Sequence, residues 1–354
     1  MGNFKKKINT WRRKALLSFT KNIGLFDASF AQHFDKESIQ NILVIRPNHR
    51  LGNQLLMTPL IQEIEATFPH AKIDLFTGKV SPILFENYTQ IGQIHRIPRK
   101  PFQEKRHYLN VWKQLRRKNY DFVINVDRTS SSGRLATKFS RGRVKLYGDL
   151  LESIQQQYPD YMHNAKYPVY FLRESLKTMG YKDLHKDMPC LDLKLSAEEL
   201  QKGKQLLDTL VENKLKPTIT LYTFATGAKC YSEAWWNSFY DQLKTRYPSY
   251  NLLEILPVEN VSMIGFRAPT LYSKDVREMA AVMANTAIYI GADCGVMHLA
   301  SAAGIPTMGF FSITPPSHYG PYNKGSVSLI TTELDNDSIF KQLDQCLQPA
   351  FESI

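Results

Sequence analysis

Three segments of the chain carry residues that could bind a phosphorylated ligand, and each follows a short apolar run. The most informative one runs from Ile288 to Pro306, with Gly291 and Gly295 ahead of a helix rich in small residues. Such a helix start presents backbone N–H groups and the positive end of the helix dipole, which suits a diphosphate. Asp293 cannot hold phosphate, so it is suited to sugar hydroxyls or to capping the helix. For His298, within that helix, packing is the expected role.

The second segment runs from Tyr222 to Trp236 and places a lysine between a strand and a helix. Its strand ends at Thr226-Gly227, Lys229 follows, and the tryptophans of the next helix are expected in the core. A lysine at this turn can neutralise a leaving phosphate. The alternative is an ordinary solvated surface lysine.

The third segment, Arg46 to Leu60, follows the first apolar run. It has one glycine, so it is not a dinucleotide-binding GxGxxG motif, and no acidic residue stands at the ribose-binding distance. A formal metal-binding pattern, Asp335-Asn336-Asp337, opens the last expected helix, where capping explains it. We therefore expect no metal.

Length and composition limit the possible folds. The chain has 354 residues, which favours two domains at roughly 150 residues each. Hydrophobic residues make up 43% and charged residues 22%, which excludes a disordered chain. The longest uncharged stretch, Cys294 to Asn323, is interrupted by prolines and glycines, so no membrane-spanning helix is expected.

The net charge of +12 is unevenly distributed along the chain. Up to Cys190 there are 32 Lys and Arg against 16 Asp and Glu, whereas the remainder has 13 against 17. The basic first half is therefore expected to meet an anionic partner. The four cysteines form no CxxC pair, which argues against disulfides and a zinc site and favours a reducing, cytoplasmic location.

Short apolar runs alternate with helical patterns from Asn41 onwards, which predicts an α/β fold with two doubly wound parallel sheets. The loops after Ile45, Thr223 and Ile290 should then line a cleft. We expect an acceptor-binding domain over 41–195, a linking helix over 196–216 and a donor-binding domain over 217–354. Residues 1–40 form a basic arm that either lies as an amphipathic helix on an anionic membrane or is solvated.

Taken together, the three segments resemble glycosyltransferase family 9, the heptosyltransferases of lipopolysaccharide core assembly, which have the GT-B fold of two facing Rossmann-like domains. The family's first loop is matched by Arg46 with Leu51-Gly52-Asn53 through Thr58-Pro59-Leu60, and its phosphate loop by Lys229 to Trp236. The signature D-[ST]-G-x-x-H-L-A-A-A-x-x-x-P is matched by Asp293 to Pro306.

The resemblance implies an inverting, metal-independent transfer of heptose from ADP-heptose to a lipopolysaccharide inner-core acceptor, with no cofactor. It implies partners too: a nucleotide sugar, an anionic lipid-linked oligosaccharide and the inner face of the cytoplasmic membrane, with no nucleic acid. The donor-binding residues that it implies are Thr226, Gly227, Lys229, Asp293, Cys294, Gly295 and His298. The acceptor-binding residues that it implies are Arg46, Arg50 and Gly52.

This sequence departs from the family pattern where the acceptor hydroxyl would be deprotonated. The family carries an aspartate after the loop glycine, and here Asn53 stands there and cannot accept a proton. His49, four residues earlier, is the best substitute base, because its ordinary pKa suits proton transfer. In addition, Cys294 replaces a serine or threonine, and Pro315 stands where the family has a further aspartate.

Three other readings remain open at this point. The chain could bind a sugar nucleotide without transfer, or it could be a GT-B transferase that uses another nucleotide sugar. A remote alternative is an α/β-hydrolase with Asp293 as nucleophile, since Gly291 to Gly295 mimics a nucleophile elbow. The basic runs 96–118 and 134–145 lack a nucleic-acid-binding motif and are expected to be solvated faces.

Overall fold

The computed structural model describes residue 18 and residues 38–348, apart from 79, 80, 101, 102, 150, 183, 185 and 186. The chain divides into two compact units, Met1–Pro189 and Cys190–Ile354. The basic arm predicted over residues 1–40 therefore lies almost entirely outside the described residues, and its membrane role stays a prediction.

The N-terminal unit contains a five-stranded parallel sheet in the order β3-β2-β1-β4-β5. Its central strand β1 reads NILVIR and is buried over its last five residues, as expected for a strand covered on both faces. The strands are β1 (Asn41–Arg46), β2 (Lys72–Thr77), β3 (Ile91–Arg96), β4 (Asn119–Asn125) and β5 (Arg141–Leu146).

Helices connect these strands and cover the sheet. Pro59 lies in the first turn of the second helix, where the missing N–H of proline costs no hydrogen bond. The helices are α1 (Leu51–Leu55), α2 (Thr58–Thr67), α3 (Ser81–Leu84), α4 (Lys105–Leu115), α5 (Ser131–Phe139), α6 (Glu152–Gln157) and α7 (Lys166–Thr178).

The C-terminal unit repeats the architecture with a six-stranded parallel sheet in the order β11-β10-β9-β6-β7-β8. Its strands are β6 (Thr218–Tyr222), β7 (Asn251–Ile255), β8 (Thr270–Leu271), β9 (Ile288–Ala292), β10 (Thr307–Phe311) and β11 (Val327–Ile330). Its helices are α8 (Ala197–Leu210), α9 (Glu233–Arg246), α10 (Val276–Met283), α11 (Gly295–Ala302), α12 (Pro316–Tyr319) and α13 (Asn336–Leu347).

The predicted fold class is confirmed: both sheets are parallel and doubly wound. The predicted linking helix is corrected, because α8 lies within the second unit and packs on α10. Glu199 forms an ion pair of 2.5 Å with Arg277, which lowers the pKa of this carboxyl to about 2. Gly203 lies against the backbone of Ala281, so a side chain there would collide with α10.

One smaller expectation is confirmed by the last helix. Asp335 caps α13 by accepting a hydrogen bond from the Ser338 backbone N–H at 2.8 Å, as the sequence predicted. Within the described part of the chain, no helix combines the length and the apolar character that a membrane crossing requires.

Candidate active site

The candidate donor site lies at the carboxyl edge of the C-terminal sheet. Strand β6 pairs with β9, and β9 pairs with β10. The chain order of the strands reverses between β6 and β9, and crevices beside such a reversal are the usual ligand sites of parallel sheets. The loops that carry Lys229 and Asp293 leave these two neighbouring strands, so the fold brings together two segments that are about sixty residues apart.

Local backbone geometry positions Lys229. Gly227 has a φ of +67°, a left-handed conformation that favours glycine, and it opens a short 3-10 turn over Gly227–Lys229. Ser232 then caps α9 by accepting a hydrogen bond of 3.2 Å from the Trp235 backbone N–H. Trp236 is fully buried in the core, which confirms its predicted role and anchors the start of α9.

Lys229 and Asp293 form an ion pair in which the lysine Nζ contacts carboxylate Oδ2. The side chain of Lys229 is 36% exposed and that of Asp293 only 6%, so the lysine covers a nearly buried carboxylate. The alternative that Asp293 caps α11 is wrong, because Cys294 occupies the N-cap position. The two residues therefore form a charge-balanced ion pair next to the start of α11.

The other predicted donor residues lie in the loop before Lys229, at the start of α11 and within α11. Gly295 is the first residue of α11, and Thr226 is exposed ahead of the 3-10 turn. Burial raises the pKa of the Cys294 thiol, which keeps it neutral beside the pair. His298 is buried on α11, in keeping with the packing role expected for it.

Tyr319 is a residue of this site that sequence reasoning missed. The Nζ atom of Lys229 lies 5.9 Å from the centre of the Tyr319 ring, and the ring of His298 lies 6.3 Å from it. Tyr319 lies on α12, which has only four residues. So short a helix has no periodic pattern that could have predicted a contact between this ring and Lys229.

The candidate acceptor site lies at the carboxyl edge of the N-terminal sheet, where β1 ends. Arg46 is buried and donates a hydrogen bond of 2.8 Å from Nη2 to Oδ1 of Asn53. Gly52 is buried beside it in α1, whereas Arg50 is exposed. In this position the family aspartate would face a guanidinium, and Asn53 offers that guanidinium a neutral acceptor.

The loop between β1 and α1 is held by polar contacts with β2. The side-chain amide of Gln54 donates to the Asn48 carbonyl and accepts a hydrogen bond of 2.5 Å from the Thr77 hydroxyl. Gly78 approaches the Asn48 carbonyl so closely that a side chain there would collide with it. This packing fixes the backbone on both sides of His49.

His49 lies with Arg99 on a cavity of about 320 Å³ that Pro47, Asn48 and Arg50 also line. Burial, and next the positive charge of Arg99, lower the pKa of His49 below its ordinary value. The imidazole is therefore neutral at neutral pH, the form that can accept a proton. No pattern in the sequence indicated that Arg99, fifty residues away, would share this cavity.

Asp127 is a second group that sequence reasoning passed over. Strand β4 lies beside β1, and the Val126 backbone N–H donates to the Ile45 carbonyl at 2.9 Å. Asp127 follows directly, and its Oδ1 accepts from the backbone N–H and the hydroxyl of Thr129. A partly exposed carboxylate thus lies at the same sheet edge as His49.

Comparison with known proteins relates the C-terminal unit to one family. Residues 270–347 match the sequence model of glycosyltransferase family 9 (heptosyltransferase). Lipopolysaccharide heptosyltransferase 3 of Escherichia coli is 24% identical over 300 residues, which cover 78% of this chain and 84% of that protein. The lipopolysaccharide core heptosyltransferase OpsX of Haemophilus influenzae is 20% identical over 81% of this chain and 83% of its own length.

Solved structures show the same fold. A family 9 glycosyltransferase from Veillonella parvula superposes with a TM-score of 0.70 at 15% identity, over 89% of this chain and 99% of that one. The Escherichia coli heptosyltransferase WaaC with ADP gives 0.64 at 16% identity, over 87% and 100% of the two chains.

The architecture of two parallel-sheet units, together with these relatives, defines the class of protein: the chain is an enzyme, a glycosyltransferase. Its C-terminal unit matches the sequence model of glycosyltransferase family 9 (heptosyltransferase), and both relatives described above are lipopolysaccharide heptosyltransferases. This assignment removes the α/β-hydrolase alternative. Consistently, Asp293 serves as the partner of Lys229 in the structure.

Proposed function

We propose that the protein transfers a heptose from ADP-heptose to an anionic, lipopolysaccharide-type acceptor, with inversion at the anomeric carbon and without a metal. The observation that carries the proposal is the Lys229–Asp293 ion pair next to the start of α11. Asp293 lies inside the segment that matches the family, and Lys229 reaches it from the loop after the neighbouring strand β6. One relative's structure was determined with ADP, which supports an adenine nucleotide as the donor.

The reaction is a single displacement. The acceptor hydroxyl oxygen forms a bond to the anomeric carbon, the bond from that carbon to the β-phosphate oxygen breaks, and ADP leaves with the bonding pair. A base takes the proton of the hydroxyl. Attack from the face opposite the leaving group inverts the configuration.

Negative charge develops on the departing diphosphate, and two features at the donor site favour it. Lys229 supplies a positive charge, and the first backbone N–H groups of α11 add the positive end of a helix dipole. Together they can take the part that a divalent cation has in metal-dependent transfer. Asp293 would then accept hydrogen bonds from the sugar once the lysine turns towards phosphate.

On the acceptor side, His49 is the proposed base and Arg46 and Arg50 are the proposed acceptor contacts. The neutral imidazole lies on an open cavity lined by two arginines, which suits a phosphorylated or acidic sugar. Lipid-linked acceptors would bring the protein to the inner face of the cytoplasmic membrane.

Calorimetric titration with ADP-heptose, ADP, UDP, GDP and NAD tests the donor class. Preferential binding of ADP and ADP-heptose is expected. Preference for UDP or GDP would retain the glycosyltransferase and reject the heptose donor, and failure of every nucleotide to bind would reject the proposed donor site.

A second candidate function is donor binding without transfer, which the neutral Asn53 beside Arg46 favours. Product analysis with ADP-heptose and a lipid-linked acceptor separates the two. Release of ADP coupled to a heptosylated product supports the transferase, whereas tight donor binding with no product supports the binding protein.

A further inference from the structure

The outer face of α4 in the N-terminal unit presents an apolar side chain among cations. Leu109 is 66% exposed at the middle of the helix. Side chains three and four positions apart lie on one face of a helix, and here those positions hold Lys105, Arg106 and Lys113. All three are exposed, and in the described part of the chain no acidic side chain forms an ion pair with them.

The neighbouring helix α5 extends this face. Trp112 of α4 packs edge-on against Phe139, with ring centres 5.8 Å apart. Phe139 is itself 45% exposed, and Lys138 is exposed next to it. We call this area the α4–α5 surface, which consists of Lys105, Arg106, Leu109, Trp112, Lys113, Arg116, Lys138 and Phe139.

The sequence around this surface is strongly basic. Residues 104–118 and 138–145 contain ten Lys and Arg and a single acid, Glu104. Some of these cations lie close together. The pKa of Lys145 is lowered mainly by burial and also by the positive charge of the nearby Arg116. Cations brought this near to one another favour a partner that supplies negative charge.

The sign of the charge narrows the choice of partner. The basic arm has seven Lys and Arg up to Lys21 and no acid, so it would be repelled. A second copy of the same surface would be repelled for the same reason. A polyanion such as nucleic acid would satisfy the cations, but it gives no reason for an exposed leucine at their centre.

An anionic lipid surface satisfies both features. Leucine and phenylalanine side chains can enter the boundary between headgroups and acyl chains, while lysine and arginine stems extend to the headgroup phosphates. Each basic residue near an anionic leaflet strengthens the attraction.

We propose that the α4–α5 surface docks on an anionic phospholipid bilayer, with Leu109 and Phe139 at the headgroup boundary. The inference deepens the proposed function, because a lipid-linked acceptor is presented at such a surface. Its test needs neither nucleotide nor turnover, so it can fail while the transferase proposal stands, and the reverse.

Flotation of the full chain with vesicles of phosphatidylcholine alone, or mixed with phosphatidylglycerol, measures the docking. We expect binding to the anionic vesicles, with Leu109→Glu weakening it by about tenfold or more. The double variant Arg106→Glu/Lys113→Glu should weaken it by at least about fivefold for each cation removed.

Matched controls come from the C-terminal unit. Leu215 is 95% exposed, so Leu215→Glu makes the same substitution at another exposed leucine. Lys214→Glu/Lys244→Glu makes the same change in net charge as the double variant. Both controls should bind anionic vesicles like the parent, and unchanged thermal unfolding of every variant would show that all of them fold.

Two outcomes would overturn the proposal. One is equal flotation of the parent, Leu109→Glu and the double variant. The other is loss of binding with the charge variant alone, together with tighter binding of a DNA duplex than of vesicles, which would make the surface a polyanion site.

Discussion

At the scale of single residues, the donor site is best understood as one ion pair. The sequence analysis assigned Lys229 to the diphosphate and Asp293 to the sugar, but in the structure they bind each other. A nearly buried carboxylate needs a countercharge, so Lys229 also prevents Asp293 from repelling an incoming phosphate. Under the proposed function, donor binding is an exchange of partners by the lysine.

This exchange predicts opposite effects at the two positions. Lys229→Ala should weaken ADP binding by roughly 10- to 100-fold, since it removes a charged contact and exposes phosphate to Asp293. Asp293→Ala should leave ADP binding equal or tighter while weakening binding of the sugar nucleotide. Calorimetry with both ligands measures this, and Lys244→Ala is the control.

The double variant Lys229→Ala/Asp293→Ala checks the coupling. It should bind ADP better than Lys229→Ala alone, because the uncompensated carboxylate is gone. If Asp293→Ala changes the Kd of ADP by the same factor in the parent and in Lys229→Ala, the ion pair has no part in binding.

The assignment of the base predicts a pH dependence. The pKa of His49 lies below its ordinary value of 6.5, so turnover should fall only as the pH drops below that value. Arg99→Ala removes a charge that lowers this pKa, so the acidic limb of the rate profile should move to higher pH. His49→Asn should abolish that limb and most of the turnover.

Profiles of kcat/KM between about pH 5 and 8 provide the measurement. Lys100→Ala, next to Arg99 in sequence and likewise exposed, should leave the limb in place. If His49→Asn keeps the parent profile and Asp127→Asn loses it, the base is Asp127.

At the scale of elements, packing contacts rather than position in the sequence decide which unit a helix belongs to. Helix α8 begins with a complete capping box, in which the side chain of Ser196 and that of Glu199 each bond the other's backbone N–H. Glu199 then also holds Arg277 of α10. Helix α8, which the sequence predicted as a link between domains, is therefore packed within the C-terminal unit.

Gly203→Ala should destabilise this contact. The added methyl group collides with the Ala281 carbonyl, so α8 must shift away from α10, at a cost of about 1 to 3 kcal/mol in the free energy of unfolding. Denaturant unfolding measures it. Gln205→Ala, an exposed position on the same helix, should change stability by less than about 0.5 kcal/mol, and an equal loss at both positions would contradict the packing.

At the scale of the whole molecule, charge and chemistry are divided between the units. The segment up to Cys190 carries a net +16, from 32 basic and 16 acidic residues, and the remainder carries −4, from 13 and 17. The proposed donor site depends on one short-range ion pair, whereas the N-terminal unit carries the excess positive charge that we propose attracts an anionic acceptor.

Salt should therefore act on the two substrates unequally. Raising NaCl from about 50 to 500 mM should increase the KM for an anionic acceptor on the order of tenfold, because it screens a field made of many exposed charges. The Kd of ADP should change less than about threefold, since its contacts are close. Steady-state kinetics and calorimetry provide both values, and equal salt dependence would refute this division.

The sequence by itself determined the fold class, the order of the elements and the segments that meet at the sheet edges. Buried parallel strands are continuous apolar runs, and loops at their carboxyl ends carry the chemistry, so local pattern is sufficient for both. Lys229, Asp293 and the cap at Asp335 could therefore be identified from the sequence alone. Asn53 in place of the family aspartate was visible at once.

Only the tertiary structure decided which side chains touch. Three contacts join segments that are tens of residues apart in sequence: Lys229 with Asp293, Lys229 with Tyr319, and His49 with Arg99. The same holds for α8, whose place depends on Gly203 meeting a backbone that sequence periodicity cannot reveal. Periodicity reports which face of an element is buried, whereas the partner of that face is set by how the whole chain packs.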